Sequence, residues 1–405
     1  MSSTTFVIVG GGLAAAKAAE ALRDSDFDGQ IALFADEEFL PYERPPLSKD
    51  YLAGAKSLHD FTVQNSDWYR ERRVDLRLNT RVDSLDTAAH TVGFDDGATL
   101  RYDKLLLATG SASRRPPIPG CDAGGVHYLR TYRDAVSLNS VLAEGSSLAV
   151  VGAGWIGLEV AAGARQRGVD VTVVESAVQP LFGALGERVG AVFADLHRDH
   201  GVQLRLETQV EQITVEDGQA TGLALAGGSS VTADAVLVAA GAKPNVELAE
   251  QAGLEMADGG VAVDASLCTS DPDVFAVGDI AAAQHPFFGV RIRTEHWANA
   301  LKQPAVAVAG MLGNPGEYDE LPYFFTDQYD LGMEYAGHAS GSEHVVFRGD
   351  VGGREFVAFW LDDDDRVLAG MNVNVWDVLD DIKGLIRSGT PVDAERLADA
   401  NAPLR

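Results

Sequence analysis

Cysteine is scarce in this sequence of 405 residues, which contains only Cys121 and Cys268. Neither cysteine belongs to a CxxC pair or to a Cys/His spacing that is typical of a metal site. A disulfide framework is therefore excluded, and we expect two buried or idle thiols in the reducing environment of the cytoplasm. We also predict no metal site.

Long apolar runs are lacking as well. The most apolar stretch, residues 148–164, is interrupted by glycines and by Glu159, so it falls short of the uninterrupted run of about 18 residues that a membrane span needs. The apolar residues 6–19 are not preceded by lysine or arginine, which argues against a secretory signal. We therefore expect neither membrane insertion nor export.

Positive charge is the third deficit. Lysine and arginine total 32 against 60 aspartates and glutamates, which gives a formal net charge of −28. Such a chain repels the phosphates of nucleic acids and anionic lipids, so bulk binding to either is excluded as a function. This balance does not exclude a local basic patch.

Glycine, by contrast, is abundant, with 43 residues, and it marks two copies of one pattern. Residues 6–15 read FVIVGGGLAA, and residues 148–157 read LAVVGAGWIG. In each copy an apolar run leads into the glycines, a helical stretch follows, and a second apolar run ends in an acid, Asp36 or Glu175. The pattern predicts strand, glycine turn, helix, strand and acid, twice over.

This spacing is typical of a dinucleotide site. The first glycine makes the tight turn, the second lets the backbone approach a pyrophosphate, and a third small residue lets the helix pack against the strand. The helix N-terminus attracts the phosphates, and the acid accepts hydrogen bonds from a ribose. One such motif is weak evidence, but two with flanking strands and acids indicate two dinucleotide sites. The alternative is a pair of glycine-rich turns in an unrelated α/β protein.

The second acid indicates which dinucleotide binds there. A carboxylate at Glu175 suits the free 2′-hydroxyl of NADH and would repel a 2′-phosphate. No arginine follows it within residues 173–181 to reverse that preference. The first site would then hold a different dinucleotide, and FAD is the usual companion of NADH.

Further motifs extend the pattern along nearly the whole chain. With them, the sequence resembles the FAD-dependent pyridine-nucleotide oxidoreductases of the ferredoxin, putidaredoxin and rubredoxin reductase type. The motifs are GGGLAA at 10–15, RPPLSKDYL at 44–52, LLLATG at 105–110, GAGWIGLE at 152–159, VAAGAKPN at 238–245, VFAVGDIA at 274–281, EHWANALKQ at 295–303 and FFTDQYD at 324–330.

The resemblance implies an α/β fold of glutathione-reductase-like architecture. We expect an FAD-binding domain at 1–112 and 246–320, an inserted NAD-binding domain at 113–245, and an α+β C-terminal domain at 321–405. Both nucleotide domains should be Rossmann-like. The sequence supports the insertion, because the VFAVGD motif of the first domain follows the second glycine copy. In the last segment we predict a run of strands and then a helix near 382–389.

The resemblance also implies which residues contact FAD. The phosphates and ribose should be held by the first glycine turn and acid: Gly10, Gly12, Leu13, Ala14, Ala15, Asp36 and Glu37. The remaining contacts should come from dispersed segments: Arg44, Lys49, Val82, Ala108, Thr109, Gly110, Arg130, Gly278, Asp279, His296 and Trp297. Alternative interpretations are core or turn positions for Val82 and Thr109, a surface cation for Arg130, and a helix N-cap for Asp279.

NADH contacts follow from the second copy in the same way. The resemblance assigns them to the glycine turn and helix start, the acid, the AAGAKPN turn and the EHW segment: Gly152, Gly154, Trp155, Ile156, Gly157, Glu175, Gly241 and Glu295.

The path of the electrons depends on one segment. Disulfide-reducing members of the resembling superfamily carry a redox cysteine pair before a PSK-like sequence, whereas this segment reads YERPPLSKDYL, without cysteine. Electrons should therefore leave the flavin directly. The resemblance places Lys49 near the flavin, facing Glu159 on the NAD helix, and we predict that this pair is catalytic. The alternatives are a solvated loop lysine and an exposed helix glutamate.

These features predict an NADH-dependent ferredoxin reductase, whose small iron–sulfur partner would feed a cytochrome P450 or a ring-hydroxylating oxygenase. One alternative is a flavoenzyme that reduces a quinone, a radical or oxygen, and another is a binding flavoprotein resembling apoptosis-inducing factor. Because ferredoxins are generally acidic, docking needs either a local basic patch or high ionic strength. The candidates for such a patch are Arg291 and Arg293, and Arg70, Arg72 and Arg73; the alternative for each group is solvated surface arginine.

Three other features have less specific interpretations. The four acids at 362–365 should form a solvated hairpin turn. His197 and His200 should lie at a helix C-terminus before a glycine cap at Gly201. Phe324, Phe325 and Trp360 could form either an aromatic wall near the flavin or ordinary core.

Overall fold

The computed structural model describes residues 4–339 and 344–404, and the chain divides into two compact units. The first unit consists of Met1–Glu43, Leu58–Ala112 and Ala242–Pro322, and the second of Arg44–Ser57, Ser113–Gly241 and Tyr323–Arg405. Each unit therefore contains one of the two glycine turns. The predicted three-domain division stays a prediction, and its outermost residues, 1–3 and 405, lie outside the described residues.

The first unit is built on a parallel sheet of five strands, whose apolar residues are buried apart from half-buried Leu76 in an edge strand, as is typical of a sheet covered on both faces. Helices Leu13–Asp24 and Trp297–Met311 pack against each other in this unit. In spatial order the strands are Val274–Ala276, Lys104–Leu107, Thr5–Val9, Gln30–Phe34 and Val74–Arg77.

The other elements of the first unit are short. Its helices are Ser66–Glu71 and Glu247–Gln251, with 3₁₀ turns at Leu58–Phe61 and Gly278–Ile280. Its remaining strands are Ser84–Asp86, Thr91–Gly93, Thr99–Arg101, Met256–Ala257, Gly260–Val263, Ala281–Gln284 and Arg291–Ile292. Strands Ser111–Ser113 and Ala242–Pro244 lie where the chain passes from one unit to the other.

The second unit repeats the same construction around its own parallel sheet. The strand order is Gln203–Arg205, Asp170–Val174, Ser147–Val151, Ala235–Val238 and Val126–His127. The helices are Tyr132–Val141, Trp155–Gln166 and Phe182–Asp199, with a 3₁₀ turn at Pro45–Ser48. A separate antiparallel hairpin sheet comprises Val210–Glu216, Gln219–Leu225 and Ser230–Thr232.

An antiparallel sheet forms the C-terminal part of the second unit, and helices Leu379–Ser388 and Ala394–Ala398 pack against its strands. The predicted run of strands followed by a helix is therefore confirmed. In spatial order the strands are Tyr323–Gln328, Leu331–Gly337, Val367–Val373, Glu355–Leu361 and His344–Asp350.

The acidic turn at 362–365 joins two strands of this sheet as an exposed hairpin loop, as predicted. Its carboxylate at Asp362 accepts hydrogen bonds from the backbone N–H groups of Asp364 and Arg366, at 3.0 and 2.8 Å. Across residues 4–339 and 344–404 no group of His, Cys, Asp and Glu side chains is arranged to hold a metal ion.

The α/β prediction, with two parallel dinucleotide-type sheets and a separate C-terminal sheet, is confirmed. A search of the helices that the structure describes finds none that is both long and apolar enough to cross a membrane.

Candidate dinucleotide and electron-transfer sites

Four predicted FAD segments meet at the carboxyl edge of the first parallel sheet. Val9 lies in register with Phe34 on one side and with Leu107 on the other, and Leu107 is in register with Ala276. The residues that follow parallel strands leave a sheet at the same edge, which is where ligands bind in open α/β sheets. The segments concerned are 10–15, 36–37, 108–110 and 278–279.

The first glycine turn is shaped as the dinucleotide interpretation requires. Gly10 has a φ of +136°, and a Cβ there would lie 2.0 Å from the Ala108 carbonyl oxygen, so no other residue fits. At Gly12, which precedes helix Leu13–Asp24, an added Cβ would meet nothing within 4 Å. The helix N-terminus therefore faces open space, and the turn fits a pyrophosphate.

The other residues predicted to contact FAD in the first unit differ in their exposure and in their partners. Asp36 is exposed, whereas Glu37 accepts a hydrogen bond of 2.6 Å from the Tyr42 hydroxyl. Val82 is buried in the core, so its side chain is a core position and its backbone is what a ligand could meet. Thr109 and Asn245 exchange hydrogen bonds of 2.6 and 2.9 Å.

The predicted ribityl segment is tied to the long helix. The backbone N–H of Gly278 donates to Gln303 Oε1 at 2.7 Å, and Asp279 is buried beside it. The helix N-cap interpretation of Asp279 is wrong, because residues 278–280 form one 3₁₀ turn that runs directly into a strand.

The EHW segment begins the same helix. His296 precedes Trp297–Met311, and the Trp297 indole donates to Glu43 Oε2 at 3.0 Å. Glu295 forms an ion pair of 2.5 Å with Arg293. The ion pair holds the side chain of Glu295, and the hydrogen bond holds that of Trp297, so both side chains of the segment are fixed in place.

The second sheet presents an equivalent carboxyl edge. Val151 is in register with Val174 and Val238, so Gly152, Glu175 and Gly241 follow these strands at one edge. Gly152 has a φ of +101°, and a Cβ there would lie 2.6 Å from the Ala239 carbonyl oxygen. At Gly157 an added Cβ would lie 2.2 Å from the Gly152 carbonyl oxygen, which is the close approach of helix to turn expected of the third small residue.

Glu175 is anchored at this edge by the backbone. Its Oε2 accepts from the Ala153 N–H at 2.8 Å, and its Oε1 accepts from the Ala177 N–H at 2.9 Å. In the helix that follows the turn, Trp155 packs against Phe324, with ring centroids 4.8 Å apart. Ile156 beside it is 41% exposed, so this face of the helix start is accessible.

The two predicted arginines lie together in the second unit. The Arg44 guanidinium donates to the Arg130 carbonyl, and the Arg130 N–H donates to Asp134 Oδ2 at 3.1 Å. Asp134 also completes a capping box with Thr131 at the start of helix Tyr132–Val141. The backbone of Arg130 is therefore held by a helix cap.

Lys49 and Glu159 form a largely buried ion pair, with side-chain exposures of 13% and 5%. Glu159 lies in helix Trp155–Gln166, and Lys49 follows the Pro45–Ser48 turn that contacts this helix. Ser48 Oγ donates to Glu159 Oε2 at 2.5 Å. Neither the solvated-lysine nor the exposed-glutamate alternative is therefore correct, while the catalytic role stays a prediction.

Sequence reasoning assigned no role at this pair to Ser48 or to Thr326, both of which donate to Glu159. Thr326 Oγ1 donates to Glu159 Oε1 at 2.6 Å, and the Lys49 ammonium lies 5.4 Å from the centroid of the neighbouring Phe325 ring. Burial raises the pKa of the next residue, Asp327, although the Lys49 charge opposes that rise. The available signal was the alternation of polar Thr326 and Gln328 along a strand that is otherwise apolar on that face.

The histidine pair lies where the sequence predicted, at the C-terminal end of helix Phe182–Asp199 before Gly201. His200 stacks on Tyr329, with centroids 3.7 Å apart. His197, however, is fully buried, and its Nε2 makes a 2.8 Å hydrogen bond with Gln328 Oε1. Burial lowers the pKa of His197 to about 4.

Trp360 is fully buried, with its ring 5.4 Å from that of Tyr335, so it belongs to the core and the aromatic-wall interpretation is wrong for this residue.

Arg291 and Arg293, the first candidates for a docking patch, both bond to other parts of the first unit. Arg291 donates to the carbonyls of Val263 and Ala282 at 2.7 and 3.1 Å. Arg293 donates to the Asp258 carbonyl at 2.8 Å in addition to its ion pair. Both guanidinium groups are thus committed to the fold, which counts against a docking role.

Comparison with known proteins decides the family. The sequence model described as "Pyridine nucleotide-disulphide oxidoreductase" matches residues 4–304, and that described as "Reductase C-terminal" matches residues 323–405. The chain belongs to the pyridine nucleotide-disulphide oxidoreductases. Membership in this family, with ferredoxin–NAD(+) reductases among the relatives, implies FAD and NAD(H) as cofactors, and the two glycine turns fit them.

Relatives within the family are similar over their full length. The ferredoxin–NAD(+) reductase component of an anthranilate 1,2-dioxygenase system from Burkholderia cepacia is 42% identical, covering 100% of this chain and 99% of that protein. Putidaredoxin reductase from Pseudomonas putida is 34% identical, covering 100% of this chain and 96% of that protein. The crystal structure of the covalent putidaredoxin reductase–putidaredoxin complex contains a chain that matches with a TM-score of 0.95 and 34% identity. The match covers 100% of this chain and 98% of that chain.

Proposed function

We propose that this protein is an NADH-dependent ferredoxin reductase, which passes electrons to a small iron–sulfur protein that serves a cytochrome P450 or a ring-hydroxylating oxygenase. The observation that carries the proposal is the composition of the segment at 44–52. Where a dithiol relay would need cysteines, this segment has none and instead delivers Lys49 to a buried glutamate. The similar reductases of dioxygenase systems and of putidaredoxin support it.

FAD, when bound, supplies the exchange between two-electron and one-electron transfer. The protein's contribution is position and charge. The turn at Gly10 and Gly12 and the helix N-terminus behind it would hold the pyrophosphate, and exposed Asp36 would accept the ribose hydroxyls. Trp297 and the buried Asp279 would complete the cradle at the same sheet edge.

Lys49 is proposed to place a positive charge next to the flavin. Its ammonium pairs with Glu159, whose other carboxylate oxygen accepts from Ser48, and the pair is largely buried. In a site with little water such a fixed charge acts more strongly than it would in bulk solvent.

Glu175 is proposed to select NADH. Two backbone N–H groups fix its carboxylate at the sheet edge, where it can accept hydrogen bonds from the ribose diol and would repel a 2′-phosphate. Gly152 and Gly154 would hold the pyrophosphate, and Gly241 would approach the nicotinamide end.

We further infer that the protein works in the reducing cytoplasm. Both of its cysteines are unpaired. Disulfides form and persist mainly in oxidising compartments, so two unpaired thiols favour a reducing one.

The test is the dependence of NADH oxidation on the acceptor. NADH oxidation should be measured with ferricyanide, and then with cytochrome c in the presence and absence of a purified ferredoxin. We expect cytochrome c reduction to require the ferredoxin. Rapid NADH oxidation with quinone or oxygen alone, and no stimulation by any ferredoxin, would overturn the proposal and favour the small-acceptor enzyme.

A further inference from the structure

A buried line of hydrogen bonds runs from the Lys49–Glu159 pair to His197. Thr326 Oγ1 lies 2.6 Å from Glu159 Oε1, Gln328 Nε2 lies 3.2 Å from Thr326 Oγ1, and His197 Nε2 lies 2.8 Å from Gln328 Oε1. Thr326, Gln328 and His197 have at most 1% of their surface exposed. The line joins a C-terminal strand to two helices of the same unit.

The Glu159 carboxylate determines which atom donates and which accepts in each hydrogen bond of this line. A carboxylate paired with Lys49 has no proton to give, so the Thr326 hydroxyl must donate to Glu159. Its oxygen then accepts from the Gln328 amide, which turns Gln328 Oε1 toward His197. His197 must therefore carry its proton on Nε2, which leaves Nδ1 as an acceptor, and Nδ1 has no partner among the described residues.

The cost of burying these groups shows that the line is not ordinary core. Buried polar groups are tolerated when each finds a partner, and a chain of bonds with one direction strengthens each member. The unpaired Nδ1 of His197 is the one unsatisfied atom that the arrangement leaves in this line. An apolar strand face would avoid that cost, so the polar residues point to a function at the charged end.

We propose that Thr326, Gln328 and His197 are positioning residues, which hold the Glu159 carboxylate in the orientation that fixes Lys49. The inference rests on the proposed function, because it names the residues that set the geometry of the flavin-side pair. These three residues act through Glu159, and no contact with either cofactor is assigned to them. Tyr329, whose ring lies 5.3 Å from that of His197, and His200 are titratable groups beside the histidine end, and Asp327 interacts electrostatically with the Lys49–Glu159 end.

The decisive variants change one atom group at the centre of the line. Thr326→Val keeps the shape but removes the hydroxyl donor, and Thr326→Ser keeps the donor. We expect Thr326→Val to slow flavin reduction by NADH about tenfold in stopped flow, and Thr326→Ser to recover most of that rate. Thr221→Val is the matched control, because Thr221 donates to Thr214 in a separate hairpin of the same unit.

Coupling distinguishes positioning from a general loss of packing. If Thr326 acts through Glu159, Thr326→Val should add less than about twofold to the effect of Glu159→Gln. Gln328→Met breaks the line one bond further out, so a smaller slowing is expected, and this variant serves where Thr326→Val does not fold.

A second readout does not depend on activity. In ¹⁵N NMR spectra of the FAD-loaded protein, His197 should show a protonated Nε2 and a bare Nδ1 at neutral pH. Its ring signals should shift in Thr326→Val and stay in place in Thr221→Val.

Two outcomes would overturn the inference: equal rates for Thr326→Val and Thr326→Ser, or a His197 protonated on Nδ1. Either result is separate from failure of the proposed function, which would appear in the unaltered protein as a lack of ferredoxin-dependent turnover.

Discussion

The two glycine turns are copies of one device set in different surroundings. The first turn shares its sheet edge with segments that come from distant parts of the chain, residues 108–110 and 278–279, and its acid Asp36 is exposed. The second shares its edge with Gly241, and its acid is already bonded to the backbone of the turn. We infer that the first surroundings suit a resident group and the second suit a coenzyme that must leave after each turnover.

The largest expected effect comes from the turns themselves. Gly10→Ala would force a Cβ against the Ala108 carbonyl oxygen, so we expect loss of FAD from the purified protein, measured by its visible absorbance. Gly152→Ala should leave the protein yellow but raise the apparent Kd for NADH at least tenfold. If both variants lost FAD equally, the two turns would not have separate ligands.

The control for backbone strain is Gly218→Ala. Gly218 also has a positive φ, +79°, but an added Cβ there meets nothing within 4 Å. It should cost only about 1–2 kcal/mol of stability and leave both ligands bound.

Lys49→Ala is expected to have the next largest effect. It leaves the Glu159 carboxylate buried without its cation, a loss that typically costs about 3–5 kcal/mol. We expect flavin reduction by NADH, followed by stopped flow, to slow by tenfold or more while FAD stays bound. Lys56→Ala is the control, since its pair with Asp50 is exposed and should contribute little. An unchanged rate for Lys49→Ala would remove the lysine from the mechanism.

Acid should destabilise the second unit through His197. Its pKa is lowered by burial to about 4, below the ordinary value of 6.5, so the unfolded chain takes up the proton first as pH falls. The free energy of unfolding should therefore be unaffected by His197 above about pH 6.5. Between pH 6.5 and pH 4 it should fall by up to about 3 kcal/mol as the unfolded chain takes up the proton. Denaturant unfolding of the wild type and of His197→Gln across this range measures it; parallel pH curves would contradict it.

The smallest expected effect concerns coenzyme choice. Glu175→Gln keeps a hydrogen-bond acceptor but removes the charge that would repel a 2′-phosphate. The ratio of kcat/KM for NADH over NADPH should fall about tenfold. Asp36→Asn, at the first edge, should leave that ratio unchanged; a fall in the ratio there would blur the distinction between the edges.

Much of this organisation could be predicted from sequence, because the glycine turns are rules of backbone geometry. Gly10 and Gly152 have no alternative residue, and in each copy an acid follows at the end of the second strand. Lys49 and Glu159 were predicted as a pair only through family resemblance, since 110 positions separate them in the chain. The hydrogen-bonded line through Thr326, Gln328 and His197 was not predicted, although the helix end that carries His197 was, because such a line depends on the packing of a strand against two helices. For Trp360 the sequence left core and aromatic wall open, and the structure shows core, because only the packed fold reveals which side chains a strand buries.

NADH should supply electron pairs, and the protein should deliver them singly to a ferredoxin. An anaerobic titration tests it most directly: FAD-loaded protein is mixed with one equivalent of NADH, and a one-electron ferredoxin is then added while the visible spectrum is recorded. We predict that NADH bleaches the flavin and that two molecules of ferredoxin are reduced per NADH as the colour returns. A flavin that stays yellow with NADH, or one that bleaches and does not reduce ferredoxin, would contradict the account.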